Sequence, residues 1–195
     1  MKIIVIEGLD KSGKFTQTKM LVEYLRSKGY KVEQSEFHRY DTPTGQLIRK
    51  WLYKEWNVDQ TTIELIMTAD KQAQQQWFEE LEQQGVDFLV LDRYTTSQFA
   101  YSLASNIDRN WTLQLQRFMR KPDIEIFIDI PEEESMRRKG KHGENDRYES
   151  DLALLNNVRA LFKKYVNLHV NGMRTIQEIH EDIIDRVEAL CLKQI

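Results

Sequence analysis

Short apolar runs alternate with longer stretches of helical periodicity along almost the whole chain. Residues 2–7 carry Ile3, Ile4, Val5 and Ile6 in succession, the mark of a strand buried on both faces. Residues 14–28 place Met20, Leu21, Tyr24 and Leu25 on one helical face, and Gly29 ends that helix. A weaker strand is expected over 31–37, and helices over 45–53 and 61–84, the second stopped by Gly85. The run 87–91 (DFLVL) reads as a strongly buried strand. A helix over 112–119 is broken by Pro122, and a strand over 124–130 is closed by Pro131. A helix begins at 132–139 and dissolves into 140–146, which has no apolar side chain. Helices over 150–165 and 175–192 flank a last strand over 166–170.

Five strands separated by helices predict an α/β fold: a five-stranded parallel sheet with helices on both faces. No repeat and no linker interrupts it, so residues 1–195 read as a single domain; the Gln-rich stretch 72–76 reads as a solvated helix face. Ligands of such sheets bind at the carboxyl ends of the strands. Two chemistry-bearing segments fall there: GLDKSGKFT at 8–16 and Asp92-Arg93-Tyr94.

The first has the spacing G-x-x-x-x-G-K of a phosphate-binding loop. Gly8 and Gly13 let the backbone turn so that N–H groups point inward around a phosphate, and the following helix adds its positive dipole end. Lys14 would reach the β- and γ-phosphates. Phe15 stands where Ser or Thr, the usual Mg²⁺ ligand, follows the lysine. Thr16 is about 100° further round the helix and is a poor substitute. The bland alternative, an ordinary glycine turn, is disfavoured by the strand before and the helix after.

Asp92 ends an apolar strand, the position from which a carboxylate holds Mg²⁺ through water, and Arg93 could grip a phosphate bidentately. Taken alone, the pair could be a surface salt bridge. The segment 137–147 is locally basic and holds two glycines, which suggests a mobile lid supplying cations and excluding water. Trp51, Trp56, Trp77 and Trp111 read as core or contact aromatics, and His38, His142, His169 and His180 show no metal-ligand spacing.

Charge is nearly balanced, 28 Lys+Arg against 31 Asp+Glu, so no general basic surface points to a nucleic-acid polymer. Cys191 is the single cysteine, which excludes an intrachain disulfide and a cysteine metal cluster and suits a reducing cytoplasm. The first apolar run is too short for a signal peptide, and none approaches a membrane span. A soluble protein of the cytoplasm (of the host, if viral) with no membrane partner is the expectation.

GLDKSGKFTQ, LDRYTTSQFAYS and GENDRYES, in that order, resemble the thymidylate kinases, which make dTDP from dTMP and ATP; the resemblance runs from about residue 2 to about residue 185. It implies a P-loop nucleoside monophosphate kinase with a lid at about 138–148, ATP as co-substrate, Mg²⁺, and a homodimer built from helices. It also implies roles for residues. Gly8, Leu9, Asp10, Lys11, Ser12, Gly13, Lys14, Phe15 and Thr16 form the donor loop. Asp10 lies near the sugar 3′-hydroxyl and the acceptor phosphate, and Lys11 stands where some members carry a catalytic Arg. Arg93 binds the acceptor phosphate, Arg147 faces the transferred phosphate from the lid, and Arg137, Arg138 or Lys141 would assist. Arg138, Asn171 and Arg174 fall on the adenine side. On the acceptor side, Tyr101 crowds the 2′-position, Gln98 sits beside the base, and Phe37, Arg39, Met67 and Lys71 complete the pocket, while Asp92 is the metal residue.

Four positions depart from the family pattern. Phe15 lacks the hydroxyl. Met67 replaces a stacking Phe, and Lys71 replaces an Arg that would read a pyrimidine carbonyl. Arg39-Tyr40 is out of register with the usual arginine before Thr42-Pro43. A kinase for dUMP or a modified base, and a binding protein without turnover, therefore stand as alternatives to dTMP phosphorylation.

Overall fold

The protein is described here from a computed structural model covering residues 1–138 and 146–191. Five strands run β1 (Lys2–Gly8), β2 (Val32–Glu36), β3 (Phe88–Asp92), β4 (Ile124–Asp129) and β5 (Leu168–Asn171). Between them lie α1 (Lys14–Ser27), α2 (Pro43–Leu52), α3 (Gln60–Gln72), α4 (Gln75–Gln83), α5 (Thr95–Ala104), α6 (Arg109–Leu115), α7 (Glu132–Arg137) and α8 (Leu152–Tyr165), and α9 (Ile176–Cys191) closes the chain. The strands form one sheet in the order β2-β3-β1-β4-β5, and every pairing is parallel.

The hydrophobic pattern explains the layering. Alternate residues of a strand face opposite sides. Ile4, Ile6, Val90, Ile126 and Ile128 face one way and bury Leu21 and Val22 of α1 and Ile183 and Val187 of α9. Ile3, Val5, Leu89 and Leu91 face the other way, over Phe78 and Leu81 of α4. Phe127 stacks on Phe162 of α8 at 5.1 Å in a third cluster that includes Trp51, Met67 and Tyr101. Each such buried side chain stabilises by about 1.5–3 kcal/mol.

Register then places the chemistry. Ile6 pairs with Asp92, Glu36 with Asp92, Gly8 with Ile128, and Asp129 with Asn171. The carboxyl ends of the strands thus line up Gly8, Asp92 and Asn171 along one edge.

Three elements differ from the expectation. The helix over 61–84 is two helices. Gln75 Nε2 donates to the Lys71 carbonyl at 2.9 Å, taking the acceptor that a continuous helix would give to the Gln75 N–H. A helix not expected, α5, follows β3; its buried face includes Ser97, Gln98 and Ser102, so it carries no clean apolar stripe. The helix expected at 112–119 lies instead at Arg109–Leu115, because the Asp108 carboxylate caps the Trp111 N–H at 2.8 Å. The expected lid at 138–148 falls largely outside the described residues, and with it Lys141.

Candidate active site

The loop between β1 and α1 holds the donor chemistry. Gly13 has φ 99°, open to glycine but strained for any other residue. At Gly8 a Cβ would lie 2.9 Å from the Ile128 carbonyl oxygen, so only glycine lets the loop approach β4 this closely. Lys14, almost fully buried, donates from Nζ to the Leu9 carbonyl at 2.8 Å. Burial lowers its pKa and the Arg93 charge lowers it further, against the pull of Asp92, Asp10 and Glu7. Ser12 Oγ is buried inside the loop without a hydrogen-bond partner.

Residues outside the loop pin it in place. Ser135 Oγ of α7 donates to the Asp10 carbonyl at 2.7 Å. Arg138 donates to the Lys11 carbonyl at 3.2 Å and to the Gly172 carbonyl at 3.3 Å, tying the loop to the segment after β5. Lys11 Nζ lies 3.5 Å from Glu149. Asn171 caps the Met173 N–H at 3.0 Å, and Arg174 pairs with Asp182. Arg138, Asn171 and the 172–174 turn therefore stand beside the donor loop, while the Arg174 guanidinium is turned onto α9.

Phe15 is 50% exposed on the first turn of α1, outside the core, and Thr16 beside it is exposed. A divalent cation at this edge could be held by the carboxylate of Asp92, close enough to Lys14 to pull its pKa up, as Asp10 and Glu7 also do. A single carboxylate suits Mg²⁺, which keeps several waters and takes its other ligands from phosphates. Among the described residues, no group of three or more His, Cys, Asp or Glu could hold a metal.

Arg93 joins the loop to the second half of the site. Its Nη2 donates to Asp10 Oδ1 at 2.5 Å and its Nη1 to Ser97 Oγ at 3.0 Å. Burial is the largest single influence and opposes the Arg93 charge, but Asp10, Tyr101, Asp92 and Glu7 together outweigh it and hold the guanidinium protonated well above the ordinary range. Burial likewise opposes the Asp10 charge, and Arg93 with Lys14 overrides it, so the carboxyl sits below its usual pKa. Tyr101 donates from its hydroxyl to Asp10 Oδ2 at 3.1 Å.

Under this pair lies Glu7, the last side chain of β1 before the loop and fully buried. It accepts from the Tyr94 N–H at 3.0 Å, the Ser97 N–H at 3.1 Å and the Ser97 hydroxyl at 2.5 Å. Burial raises its pKa, and those hydrogen bonds offset part of the effect. Glu7 thus caps the start of α5 and orients the Ser97 hydroxyl that Arg93 uses.

A cavity opens on the far side of Asp10 and Arg93, about 480 Å³ with its mouth included. Phe37, His38, Tyr40, Met67, Gln98 and Tyr101 are among its walls, with Asp146 and Tyr148 from the segment before α8. Lys71 is buried against two of these walls: its Nζ donates to the Met67 carbonyl at 3.4 Å and lies 5.7 Å from the Phe37 ring. Burial brings its pKa down to about 8 despite nearby Asp70 and Glu64. Gln98 Nε2 donates to the Glu64 carbonyl, Glu64 Oε2 and Thr68 Oγ1 at 3.0–3.1 Å. That fixes the amide's orientation and leaves Gln98 Oε1 buried with no partner among the described residues.

Two residues expected in the site point elsewhere. Arg39 is bound by Asp41 at 2.8 Å and by Gln74, and lies over Trp77, so its guanidinium leaves the cavity. Arg147 rests on the Trp51 ring at 4.4 Å and donates to Asn57 at 2.5 Å and to the Trp51 carbonyl. Of the other residues expected on the acceptor side, Asp10, Phe37, Met67, Arg93, Gln98 and Tyr101 line the cavity, and Lys71 lies against Met67 and Phe37. The sequence reading passed over Glu7, Ser97, Ser135, His38, Tyr40 and Asp146. A lone acid after a buried β-branched run was the only signal for Glu7.

The chain is similar to known proteins along most of its length. The family model described as thymidylate kinase matches residues 6–183. The thymidylate kinase of Plasmodium falciparum is 31% identical over 95% of this chain and 89% of its own length. The probable thymidylate kinase of Pyrococcus horikoshii is 32% identical over 95% of both chains. Among solved structures, the thymidylate kinase of Candida albicans superposes with a TM-score of 0.82 at 29% identity, covering 96% of this chain and 91% of that one.

Proposed function

The chain belongs to the thymidylate kinase family, and from that membership we propose that it transfers the γ-phosphoryl group of ATP to dTMP, giving dTDP and ADP. The observation that carries the reading is the cavity beside the donor loop, with Asp10, Arg93 and Gln98 among its walls and Lys71 buried against two others, Phe37 and Met67. A phosphate on Arg93 would face Lys14, and a base against Lys71 and Gln98 would meet a donor and an acceptor. Lys71 offers an ammonium and Gln98 a bare carbonyl oxygen. Thymine presents a carbonyl at C4 and an N–H at N3, which match both. Cytosine presents an amine and a bare nitrogen, which match neither.

The acceptor phosphate is an anion at neutral pH, so no strong base is required and catalysis is placement with charge neutralisation. Lys14 holds the donor phosphates, and Arg93 holds the acceptor phosphate in reach of them. Asp10 fixes Arg93 and meets the sugar hydroxyl, and Tyr101 closes the 2′-side. Arg147 supplies a further cation by leaving Trp51. Lys11 and Arg138 support the donor side. Asp92 would hold Mg²⁺, which when bound neutralises charge on the β- and γ-phosphates.

Among the described residues, no helix is long and apolar enough to cross a membrane. We place the protein in the cytoplasm and read it as a homodimer, for which half-exposed Leu65 on α3 offers apolar surface. The test of function is ADP release with ATP, Mg²⁺ and each of dTMP, dUMP, dCMP, dGMP and dAMP. Expected is turnover of dTMP at least about a hundredfold above dCMP, the scale set by a mismatched buried hydrogen-bonding edge. Equal use of dCMP would overturn the base assignment, and no turnover of any acceptor would overturn the kinase reading.

A further inference from the structure

β1 ends on a carboxylate that grips Arg93 at two points. Arg93 has φ 66°, a left-handed conformation that a residue with a side chain keeps only where its surroundings hold it. β1 supplies both holds on the main chain. The Ile6 carbonyl accepts the Arg93 N–H at 3.0 Å, and Glu7 Oε1 accepts the next N–H, that of Tyr94, at 3.0 Å. Glu7 Oε1 also takes the Ser97 N–H at 3.1 Å, while Oε2 takes the Ser97 hydroxyl at 2.5 Å. That hydroxyl in turn accepts from Arg93 Nη1 at 3.0 Å. One fully buried side chain therefore holds the peptide after Arg93 directly and the Arg93 fork through Ser97.

The direction of these bonds is forced. A guanidinium has only donors, so the Ser97 proton cannot point at Arg93. It points at Glu7, which must offer a bare oxygen there. Asp10 holds Nη2 at 2.5 Å, so both arms of the fork are set and its remaining N–H groups are left for a phosphate. The same turn contains a comparison. Thr96 Oγ1 donates to Glu125 Oε1 at 2.6 Å, from the preceding residue of α5 to the neighbouring strand β4. It anchors α5 to the sheet by the same kind of bond, and among the described residues no hydrogen bond joins it to Arg93.

We propose that Glu7 is a positioning residue for phosphoryl transfer: through Ser97 and the Tyr94 N–H it sets the angle at which Arg93 meets the acceptor phosphate. This rests on the acceptor-phosphate role of Arg93 proposed above. Glutamine isolates the effect because it is nearly isosteric. Its carbonyl oxygen still takes the two N–H groups, but its NH2 stands where Oε2 accepted, and the Ser97 proton is left without an acceptor. Turned the other way, the amide would lose the two N–H groups instead.

The experiment measures kcat, both KM values and the melting temperature of the unaltered protein, Glu7→Gln, Ser97→Ala, their double variant and Thr96→Val. Glu7→Gln and Ser97→Ala should each lower kcat/KM for dTMP about tenfold, the scale of one lost hydrogen bond at a group that must be placed accurately, with the KM for ATP unchanged. The double variant should lose about as much as either alone, because both break one chain of bonds. Thr96→Val should lower the melting temperature, as loss of an α5 anchor does, yet keep kcat/KM for dTMP within about twofold. Additive losses in the double variant, or an equal fall of kcat/KM in Thr96→Val, would show that Glu7 only anchors α5 and would overturn the inference. Should Glu7→Gln fail to fold, Ser97→Ala against Thr96→Val decides it in the same way. Turnover of no acceptor by the unaltered protein would overturn the kinase reading, and this inference with it.

Discussion

Arg93 and Asp10, 83 residues apart in the chain, are joined where the donor loop meets the acceptor cavity: Arg93 Nη2 donates to Asp10 Oδ1 at 2.5 Å. The second arm of the same guanidinium takes Ser97 Oγ, which itself donates to buried Glu7. Arg93 has φ 66°, a conformation held by this surrounding network rather than favoured by the residue. The loop carboxylate, the strand-end arginine and the α5 serine therefore form one hydrogen-bonded unit, against which the proposed acceptor phosphate would be read.

Arg93→Lys should lower kcat/KM for dTMP by about a hundredfold, because a point charge cannot keep Asp10, Ser97 and a phosphate on separate arms of a planar fork. The KM for ATP should change little. Steady-state kinetics with both substrates varied separates the two, and a loss confined to ATP binding would show that Arg93 serves the donor side instead.

Ser135→Ala removes the hydroxyl that holds the Asp10 carbonyl at 2.7 Å. The carbonyl loses one buried partner, at a cost of about 1 kcal/mol, which is a fall of roughly 2–4 °C in melting temperature for a domain of this size. Looser placement of Asp10 should also cost several-fold in kcat/KM. A melt and a rate identical to the unaltered protein would show that the loop holds its shape without α7.

Lys71 gives a pH dependence in which two readouts move oppositely. Burial brings its folded pKa down to about 8 from the ordinary 10.5. Between those values the unfolded chain binds the extra proton, so this group makes folding more favourable as pH rises from about 8 to about 10. Over the same range the ammonium that meets the C4 carbonyl is lost, so the KM for dTMP should rise above pH 8. Lys71→Arg keeps its charge and should flatten that alkaline rise in KM. A KM that is flat to pH 10 in the unaltered protein would remove Lys71 from base recognition.

Much of the fold and half of the site could be read from the sequence because their signals are local. β1 and β3 are continuous apolar runs, and the residues that follow each, Gly8 to Lys14 and Asp92-Arg93, are fixed by spacing along the chain. What stayed hidden depends on partners distant in sequence. α5 buries Ser97, Gln98 and Ser102 because Glu7 and Glu64 await them, so hydrophobic periodicity misses it. The break between α3 and α4 comes from the Gln75 side chain capturing a backbone carbonyl, which composition does not announce. Arg39 leaves the cavity because Asp41 lies two residues away to hold it, while His38 enters through a carboxylate on α3. Neighbouring residues of one short segment thus face opposite sides.

Arg147 must give up Trp51 and Asn57 to reach the phosphates. The Asn57 contact is exposed and costs little to break, while leaving the buried Trp51 ring gives up a cation–π contact of about 0.5–2 kcal/mol. Arg147→Met should therefore lower kcat by about a hundredfold or more, as loss of a cation at the transferred phosphoryl group does, with the KM for dTMP nearly unchanged. Equal kcat in the variant would mean that the guanidinium stays where the structure places it and that its role is to fasten the 146–150 segment to α2.

Phe15 decides how strongly the protein depends on Mg²⁺. Its ring is half exposed on the first turn of α1, so exchanging it for serine opens no cavity in the core and should leave the melting temperature within about 1 °C. A hydroxyl at that position would offer a second protein oxygen to the ion that Asp92 would hold. Phe15→Ser should accordingly lower the Mg²⁺ concentration for half-maximal rate several-fold while saturating kcat changes less. Titration of Mg²⁺ at fixed ATP and dTMP reads this directly. An unchanged half-maximal concentration would show that Asp92, water and the nucleotide phosphates already complete the ion's coordination and that position 15 takes no part in it.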